Sequence, residues 1–519
     1  MNKTNYMMLT ALIIALGGLL MGFDASVISG VVKFIEPEFG LSKLELGWSV
    51  SSLTLTATLA MMLAGPLSDK YGRRLVLRYS AILYAISAIA SALAPTFWFL
   101  VIARMIGGLG VGASLILAPM YIAEISPAKI RGRMVSFNQL NIVIGISLAF
   151  FTNYLILQFG NSDESWAKSL MLDKHNWRWM LGLETLPAVF YFMGLFLVPR
   201  SPRWLIMKGE YEEAMKIMKK FNSTGQVESD VLAIKQSMGS DKKKKRPPIS
   251  DLFKPELQLV ITIGIVVAVL QQITGINSIF FYAPMIFEQS GIGTDTSFVQ
   301  AILVGLVNLV FTVLAIMFID KLGRKPLLVG GVAGITICMF VLAYSFNSAT
   351  YKLSRDSMKA LNGEVDQEQL ESIVGTTYNS DVDFKRALVT SLGKEKAVEN
   401  ESQLIKAAIS MNPLLILIGI LGFVASFALS IGPVMWVLFS ELFPNWIRGL
   451  AISFVGLINS GVSFLVQLVF PWELENLGSA MTFLIYGLFA FIGLILIVKI
   501  LPETKGKTLE ELEAILVKT

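Results

Sequence analysis

Three charged side chains stand well inside otherwise apolar stretches of the chain, away from their ends: Asp24, Arg104 and Glu184. A charged group at the centre of a membrane-crossing helix costs about 2.5–3.5 kcal/mol on insertion scales, so each is a functional candidate by default. A buried carboxylate near a buried guanidinium is either a structural ion pair or a proton switch. Burial favours the neutral acid and a nearby guanidinium favours the anion, so a moving arginine could load and unload a proton. A second set is polar without charge. Gln139, Gln271, Gln272, Asn277, Asn308 and Asn459 are amides in apolar stretches, and Trp436 offers an aromatic face. An amide donates and accepts at once, which suits either hydrogen bonds between helices or a ligand that needs both functions. The single cysteine, Cys338, and the single histidine, His175 in a polar connection, leave no intrachain disulfide, no thiolate metal site and no histidine-built metal site.

The elements that carry these residues follow from hydropathy. Of 519 residues, 54% are hydrophobic and 16% charged, where a soluble chain carries about a quarter charged residues. Apolar stretches fall at 7–30, 46–66, 76–95, 98–122, 134–158, 178–198, 257–287, 299–319, 326–346, 413–439, 449–470 and 479–501. Each is long enough for a spanning helix of about 20 residues, which predicts an all-α membrane protein with twelve transmembrane helices. The first stretch contains Asp24 and lacks a small-residue cleavage site, so it reads as a retained span and not a signal peptide. An even number of spans puts both termini on one face. Lys70, Arg73 and Arg74, Lys129, Arg131 and Arg133, Lys321, Arg324 and Lys325, the run Lys242–Arg246, and Lys505 with Lys507 all fall on that face. The alternate loops at 95–98, 288–298 and 471–478 carry almost no Lys or Arg, so both termini are expected in the cytoplasm. The net charge of +5 is spread over these loops, which favours lipid contact and topology over nucleic-acid binding.

Two motifs recur in the same order. Asp69-Lys-Tyr-Gly72-Arg73-Arg74 follows the second span and Asp320-Lys-Leu-Gly323-Arg324-Lys325 the eighth. Glu124-Ile-Ser-Pro127-Ala-Lys-Ile-Arg131-Gly132 follows the fourth and Glu441-Leu-Phe-Pro444-Asn-Trp-Ile-Arg448-Gly449 the tenth. Repetition on one face at equivalent spans predicts two parallel six-helix halves with a site at the midplane between them. The halves are 1–198 and 256–501, joined by a linker at 199–255 with an amphipathic stretch Tyr211 to Phe221, and followed by a tail at 502–519. Arg74 and Glu124 are 50 positions apart, and their counterparts Lys325 and Glu441 are 116 apart. The second half therefore carries an insertion, placed by hydropathy at about 347–411 on the outer face, with short amphipathic stretches at Tyr351–Leu361 and Phe384–Leu392. It reads as either a surface elaboration or an outer cap.

With these motifs the chain resembles a sugar porter of the major facilitator superfamily, close to its proton-coupled monosaccharide symporters. The resemblance covers nearly the whole chain except the insertion and part of the linker. It rests on Gly22-Phe23-Asp24, Gly72-Arg73-Arg74, Gln271-Gln272-Ile-Thr-Gly275-Ile-Asn277, Gly432-Pro433-Val-Met-Trp436 and Pro502-Glu503-Thr504-Lys505-Gly506, in order. It implies a fold of two pseudo-symmetric six-helix halves and uptake of a pentose or hexose by alternating access. The coupling ion would be the proton, with Asp24, Arg104 and Glu184 in the coupling group and no other cofactor. It implies that Gln139, Gln271, Gln272, Asn277, Asn308, Trp436 and Asn459 bind the sugar. Asp69 with Arg73, Glu124 with Arg131, Asp320 with Arg324, and Glu441 with Arg448 would clamp the cytoplasmic ends, with Arg74 beside them. Spans seven and ten are expected to break near Gly275 and Pro284, and near Gly432 and Pro433. The partners implied are a monosaccharide, protons and the bilayer of a bacterial inner membrane, with a single chain as the working unit, no nucleic acid and no enzymatic step. A passive facilitator, a polyol or inositol carrier, an organic-acid carrier and a sugar sensor are the alternatives; the short tail argues against the sensor. Three positions depart from the family pattern: Phe281-Tyr282 replaces two tyrosines, Ser460 stands where tryptophan is common, and Arg200 stands where glutamate is usual.

Overall fold

The computed structural model describes residues 3–126, 130–221, 231–232, 247–359, 361, 367–444, 446–507 and 509–516. The basic run Lys242–Arg246 lies outside them. Among the described residues, twelve helices are long and apolar enough to cross a membrane: Asn5–Phe39, Lys43–Tyr71, Arg73–Ala92, Phe97–Ile125, Met134–Gly160, Asn176–Leu197, Pro255–Glu288, Thr294–Ile319, Arg324–Asn347, Pro413–Leu442, Arg448–Asn476 and Ser479–Ile500. Each contains one of the apolar stretches read from sequence or overlaps it closely. A backbone in hydrocarbon must satisfy its own N–H and C=O groups, and a helix does so within one segment.

Three spans are interrupted where chemistry is needed. The seventh consists of Gln258–Ile273 and Ile276–Glu288, separated at Gly275 with φ 86°. Glycine is required there twice over. Other residues rarely adopt a left-handed backbone, and a Cβ would come within 2.5 Å of the Tyr486 ring. The second segment kinks again at Tyr282, two residues before Pro284, whose ring and missing N–H interrupt a helix. The tenth span breaks at Ser430, with φ −124° and ψ −100°, two residues before Gly432. The sixth is split into Asn176–Gly182 and Thr185–Leu197, and Glu184 sits at the join.

The chain divides into two compact units. One comprises 1–25, 52–149 and 181–252; the other comprises 26–51, 150–180 and 253–519. Sequence repetition alone places the boundary in the linker. The structure instead assigns 26–51 and 150–180 to the second unit because their side chains bind there. Lys33 Nζ meets Glu288 Oε1 at 2.6 Å, Trp48 packs edge-on against Phe464, and a Cβ at Gly47 would strike Leu468 O at 2.0 Å. In the first unit the linker helix Tyr211–Phe221 buries Ala214, Ile217, Met218 and Phe221, with Phe221 stacked on Tyr6.

The insertion, between Asn347 and Pro413, is a small folded body. Thr350–Lys352 is the central strand of an antiparallel three-stranded sheet, flanked by Thr377–Tyr378 and Ile409–Ser410. The expected amphipathic stretch at Tyr351–Leu361 is thus corrected: Tyr351 belongs to a strand and only Arg355–Lys359 is helical. Its β-branched start and the partners of Tyr351, 27 and 58 positions away, outweigh the local helical pattern. Phe384–Leu392 does fall in a helix, Asp381–Leu392. Tyr351, Leu370, Phe384, Leu388 and Leu404 form a core of the insertion's own. Asp381 anchors it by accepting from Ser479 N at 2.9 Å at the start of the last span, and Glu401 by accepting from Gln289 Nε2 at 3.0 Å and Lys385 at 2.9 Å. Burial alone would raise the Glu401 carboxyl, but Lys385 and Lys43, with hydrogen bonds from Gln289 and Lys385, outweigh it and hold it at about 2.

Candidate transport site

The first unit places its buried charges together. Asp24 and Arg104 are 1% and 2% exposed, on the first and fourth spans. Arg104 Nη1 donates to Asp24 Oδ1 at 3.3 Å and Nη2 to the Asp24 backbone carbonyl at 3.4 Å. The second carboxylate oxygen, Oδ2, accepts from no protein group. Gly107 keeps it open, because a Cβ there would come within 2.9 Å of Oδ2. Glu184, also buried, precedes the segment Thr185–Leu197 at the break in the sixth span, with no capping hydrogen bond from its side chain, and lies within electrostatic range of both Asp24 and Arg104. Tyr84 is within range of both carboxylates. The three charges singled out in the sequence therefore share one buried neighbourhood.

The second unit gathers amides. Asn459 Nδ2 donates to Gln271 Oε1 and to Ala268 O, both at 2.8 Å, while Gln272 Nε2 donates to Asn459 Oδ1 at 3.1 Å. Asn277 Nδ2 donates to Gln272 Oε1 at 2.9 Å and to Ser463 Oγ at 2.7 Å. Gln271 Nε2 reaches across to the carbonyls of Ile431 and Gly432 at the start of the segment below the tenth span's break. Four of the six predicted amides thus form one hydrogen-bonded chain between the seventh and eleventh spans, beside both helix breaks. Asn308 is buried on the eighth span, outside that chain. Gln139 is exposed on the fifth span, in the first unit. Trp436 is 49% exposed, edge-on to Phe439. Two members of the chain escaped sequence reading: Ser463, and Gln467, whose Nε2 donates to Ser463 Oγ at 2.8 Å. Their spacing of four and eight from Asn459 marks one face of a helix, but a serine in an apolar span draws little notice.

On the face that carries the linker, each unit holds a matching triad. Arg73 binds Asp69 at 2.8 Å and Glu124 at 3.1 Å, and Ser201 donates to the other oxygen of Glu124. Arg324 binds Glu441 at 2.8 Å, and Thr504 donates to the other oxygen of Glu441 at 2.7 Å. One expected pairing is corrected here. Glu441 pairs with Arg324 and not Arg448, whose Nε donates to Phe443 O, while Glu124 pairs with Arg73. Glu441 ends one helix and faces the start of another, whereas Arg448 lies beyond the turn at Pro444. The side chains of Arg131 and Asp320 lie outside the described residues. Arg74 donates to Val198 O at 3.1 Å.

Residues 10–362 and 390–516 match the family model described as sugar (and other) transporter. The chain belongs to the sugar transporter family. Its unmatched residues 363–389 fall within the insertion. Among its relatives is the arabinose-proton symporter of Bacillus subtilis (strain 168), 33% identical over 517 residues that span 100% of this chain and 96% of the relative. Another is the D-xylose-proton symporter of Escherichia coli (strain K12), 35% identical and covering 99% of this chain and 96% of the relative. The fold is similar to the inward-open conformation of the xylose transporter from E. coli, with TM-score 0.74 and 33% identity over 98% of this chain and 99% of that one. The transporter is thus a multi-pass membrane protein of the major facilitator fold.

Proposed function

We propose that this transporter takes up a monosaccharide, a pentose or hexose, together with protons. One observation carries the reading: the first unit buries a carboxylate against an arginine, while the second unit's polar centre is an uncharged hydrogen-bonded chain of amides. A sugar offers several hydroxyls and no charge, so its recognition calls for groups that donate and accept together. Gln271, Gln272, Asn277 and Asn459 supply these, Trp436 supplies an aromatic face, and Gln139 and Asn308 complete the set. The similarity to arabinose- and xylose-proton symporters supports both the sugar and the ion.

Asp24 is the proton carrier in this reading. With Arg104 against Oδ1, the carboxylate is stabilised; when the arginine swings away, the uncompensated buried charge favours taking a proton. Glu184 is buried in the same neighbourhood. Alternating access follows from rocking of two six-helix halves about a central site. The Arg73–Glu124–Ser201 and Arg324–Glu441–Thr504 triads fix the helix ends of each half as it moves, with Arg74, Asp69 and Arg448 around them. The linker and both termini face the cytoplasm of a bacterial cell, the insertion faces outward, and a single chain performs the cycle. No enzymatic step and no cofactor beyond the proton is required.

The test is proton movement in proteoliposomes on addition of a panel of pentoses, hexoses and polyols. Alkalinisation outside with one sugar names the substrate and supports symport. Sugar flux with no proton movement leaves a passive facilitator, and flux with a polyol alone would move the substrate class.

A further inference from the structure

The two halves end in the same way, with one difference. Pro199-Arg200-Ser201 after the sixth span repeats Pro502-Glu503-Thr504 after the twelfth. Ser201 and Thr504 make equivalent bonds to Glu124 and Glu441. Arg200 and Glu503 do not. Glu503 lays its carboxylate across the first turn of Arg324–Asn347, accepting from Arg324 N at 3.1 Å and Lys325 N at 3.0 Å. Burial alone would raise this carboxyl, but donation from the backbone N–H groups of Lys505, Arg324 and Lys325 outweighs it and holds it below the usual carboxylate range.

The matching turn in the first unit has the same backbone and no such acid. Gly72 opens Arg73–Ala92 with φ 93°, against 97° at Gly323, and among the described residues no side chain accepts from Arg73 N or Arg74 N. Arg200 turns instead to Glu210 at 2.9 Å and Glu213 at 3.4 Å. The helix start opens on a cleft of about 300 Å³ whose wall includes Gly72, Arg74, Arg78, Arg200, Trp204 and Glu210. Glu210, a carboxylate in that wall, is already held by Arg200. Arg74 and Arg78 donate to the backbone carbonyls of Val198 and Leu195, at 3.1 and 3.2 Å. Among the described residues neither arginine has a carboxylate within ion-pair distance, and Arg78 Nε is buried with no acceptor.

An anion in this cleft would receive what Glu503 receives in the second half: the N–H groups and the positive end of a helix. It would also meet guanidinium donors that no acid has claimed. A phosphate, with several acceptor oxygens and a higher charge than a carboxylate, matches a set of arginines best. We propose that this cleft binds a phosphate group, carried by an anionic lipid headgroup or by a soluble phosphate ester, at the place where the second half uses its own Glu503. The inference does not depend on which solute is carried.

The experiment uses the full chain in phosphatidylcholine nanodiscs. Phosphatidylglycerol in the disc, inorganic phosphate and glucose 6-phosphate are the probes, and the unfolding midpoint is followed against probe concentration. The parent protein is expected to show a saturable rise with at least one probe. Phosphatidylglycerol alone would assign a lipid headgroup, and the soluble probes alone a soluble ester. Arg200→Glu, which restores the acid, should raise the midpoint without any probe and weaken the response by about tenfold or more. Arg74→Gln should weaken the response similarly without raising the starting midpoint. No saturable rise with any probe, or responses in both variants equal to the parent's, would overturn the proposal.

Discussion

The two halves derive from one repeated plan, yet their polar centres are built from different chemistry. Away from its first and last turns, no span of the second half contains Asp, Glu, Lys or Arg. The first half instead buries Asp24, Arg104 and Glu184 together. A neutral amide chain offers bidirectional hydrogen bonds without the cost of burying charge. A buried acid and arginine hold a state that one proton can change. In the proposed function the second half supplies most of the grip on an uncharged solute and the first half reads the proton.

Breaking the charged side should have the largest effect. Arg104→Gln leaves Asp24 buried without its partner, which typically costs about 3–5 kcal/mol. A lower unfolding midpoint is expected, and adding Asp24→Asn should restore most of it. If the double variant is no more stable than Arg104→Gln alone, the pair is not what the arginine supports.

The converse change puts a charge into the neutral side. Asn459→Asp places a carboxylate where Gln271 Oε1 and Gln272 now exchange hydrogen bonds with an amide. Charged groups at mid-span cost about 2.5–3.5 kcal/mol, and Asn459 Nδ2, which now donates to Ala268 O and Gln271, is lost. Sugar binding by calorimetry should fall below detection at pH 7. Binding within a factor of two of the parent would show that Asn459 does not belong to the grip.

The smallest expected effect lies far from both centres, in the insertion. Glu401 titrates at about 2 in the folded protein and about 4.3 in an unfolded chain. Its contribution is therefore fully present above about pH 4.3 and lost as pH falls toward 2. The difference in unfolding midpoint between the parent and Glu401→Gln should stay constant from pH 8 to 5 and shrink only in stronger acid. A difference that disappears between pH 7 and 5 would contradict the Lys385 and Lys43 contacts.

Much of this architecture was legible in the sequence because the bilayer imposes a simple rule. Long apolar runs must be helices, and lysine and arginine mark one set of their ends, so twelve spans and a doubled motif could be read directly. Glycine and proline located the breaks in spans seven and ten to within two residues, since few other residues tolerate those backbones. The partners of the linker-face charges were less legible. Glu124 and Arg131 are close in sequence, but a helix end points its acid at the neighbouring helix, and only packing reveals Arg73. Ser463 draws no notice because a small polar residue in a span is most often helix-to-helix glue, whereas Gln467 is an amide in the same stretch as Asn459 and meets the same criterion. The strand at Thr350–Lys352 was hidden by its distant pairing partners. Arg200 was seen only as a missing acid; its meaning depends on Glu503 and the geometry of an equivalent turn.

The central claim is that Asp24 couples proton to solute while the amides hold the solute. Its most direct test compares two modes of flux in proteoliposomes containing Asp24→Asn. Exchange of labelled for unlabelled sugar, which needs binding and alternation but no net proton movement, should persist. Accumulation driven by an inward pH gradient should vanish. An Asp24→Asn protein that still concentrates sugar on a pH gradient would place the proton elsewhere and contradict the account.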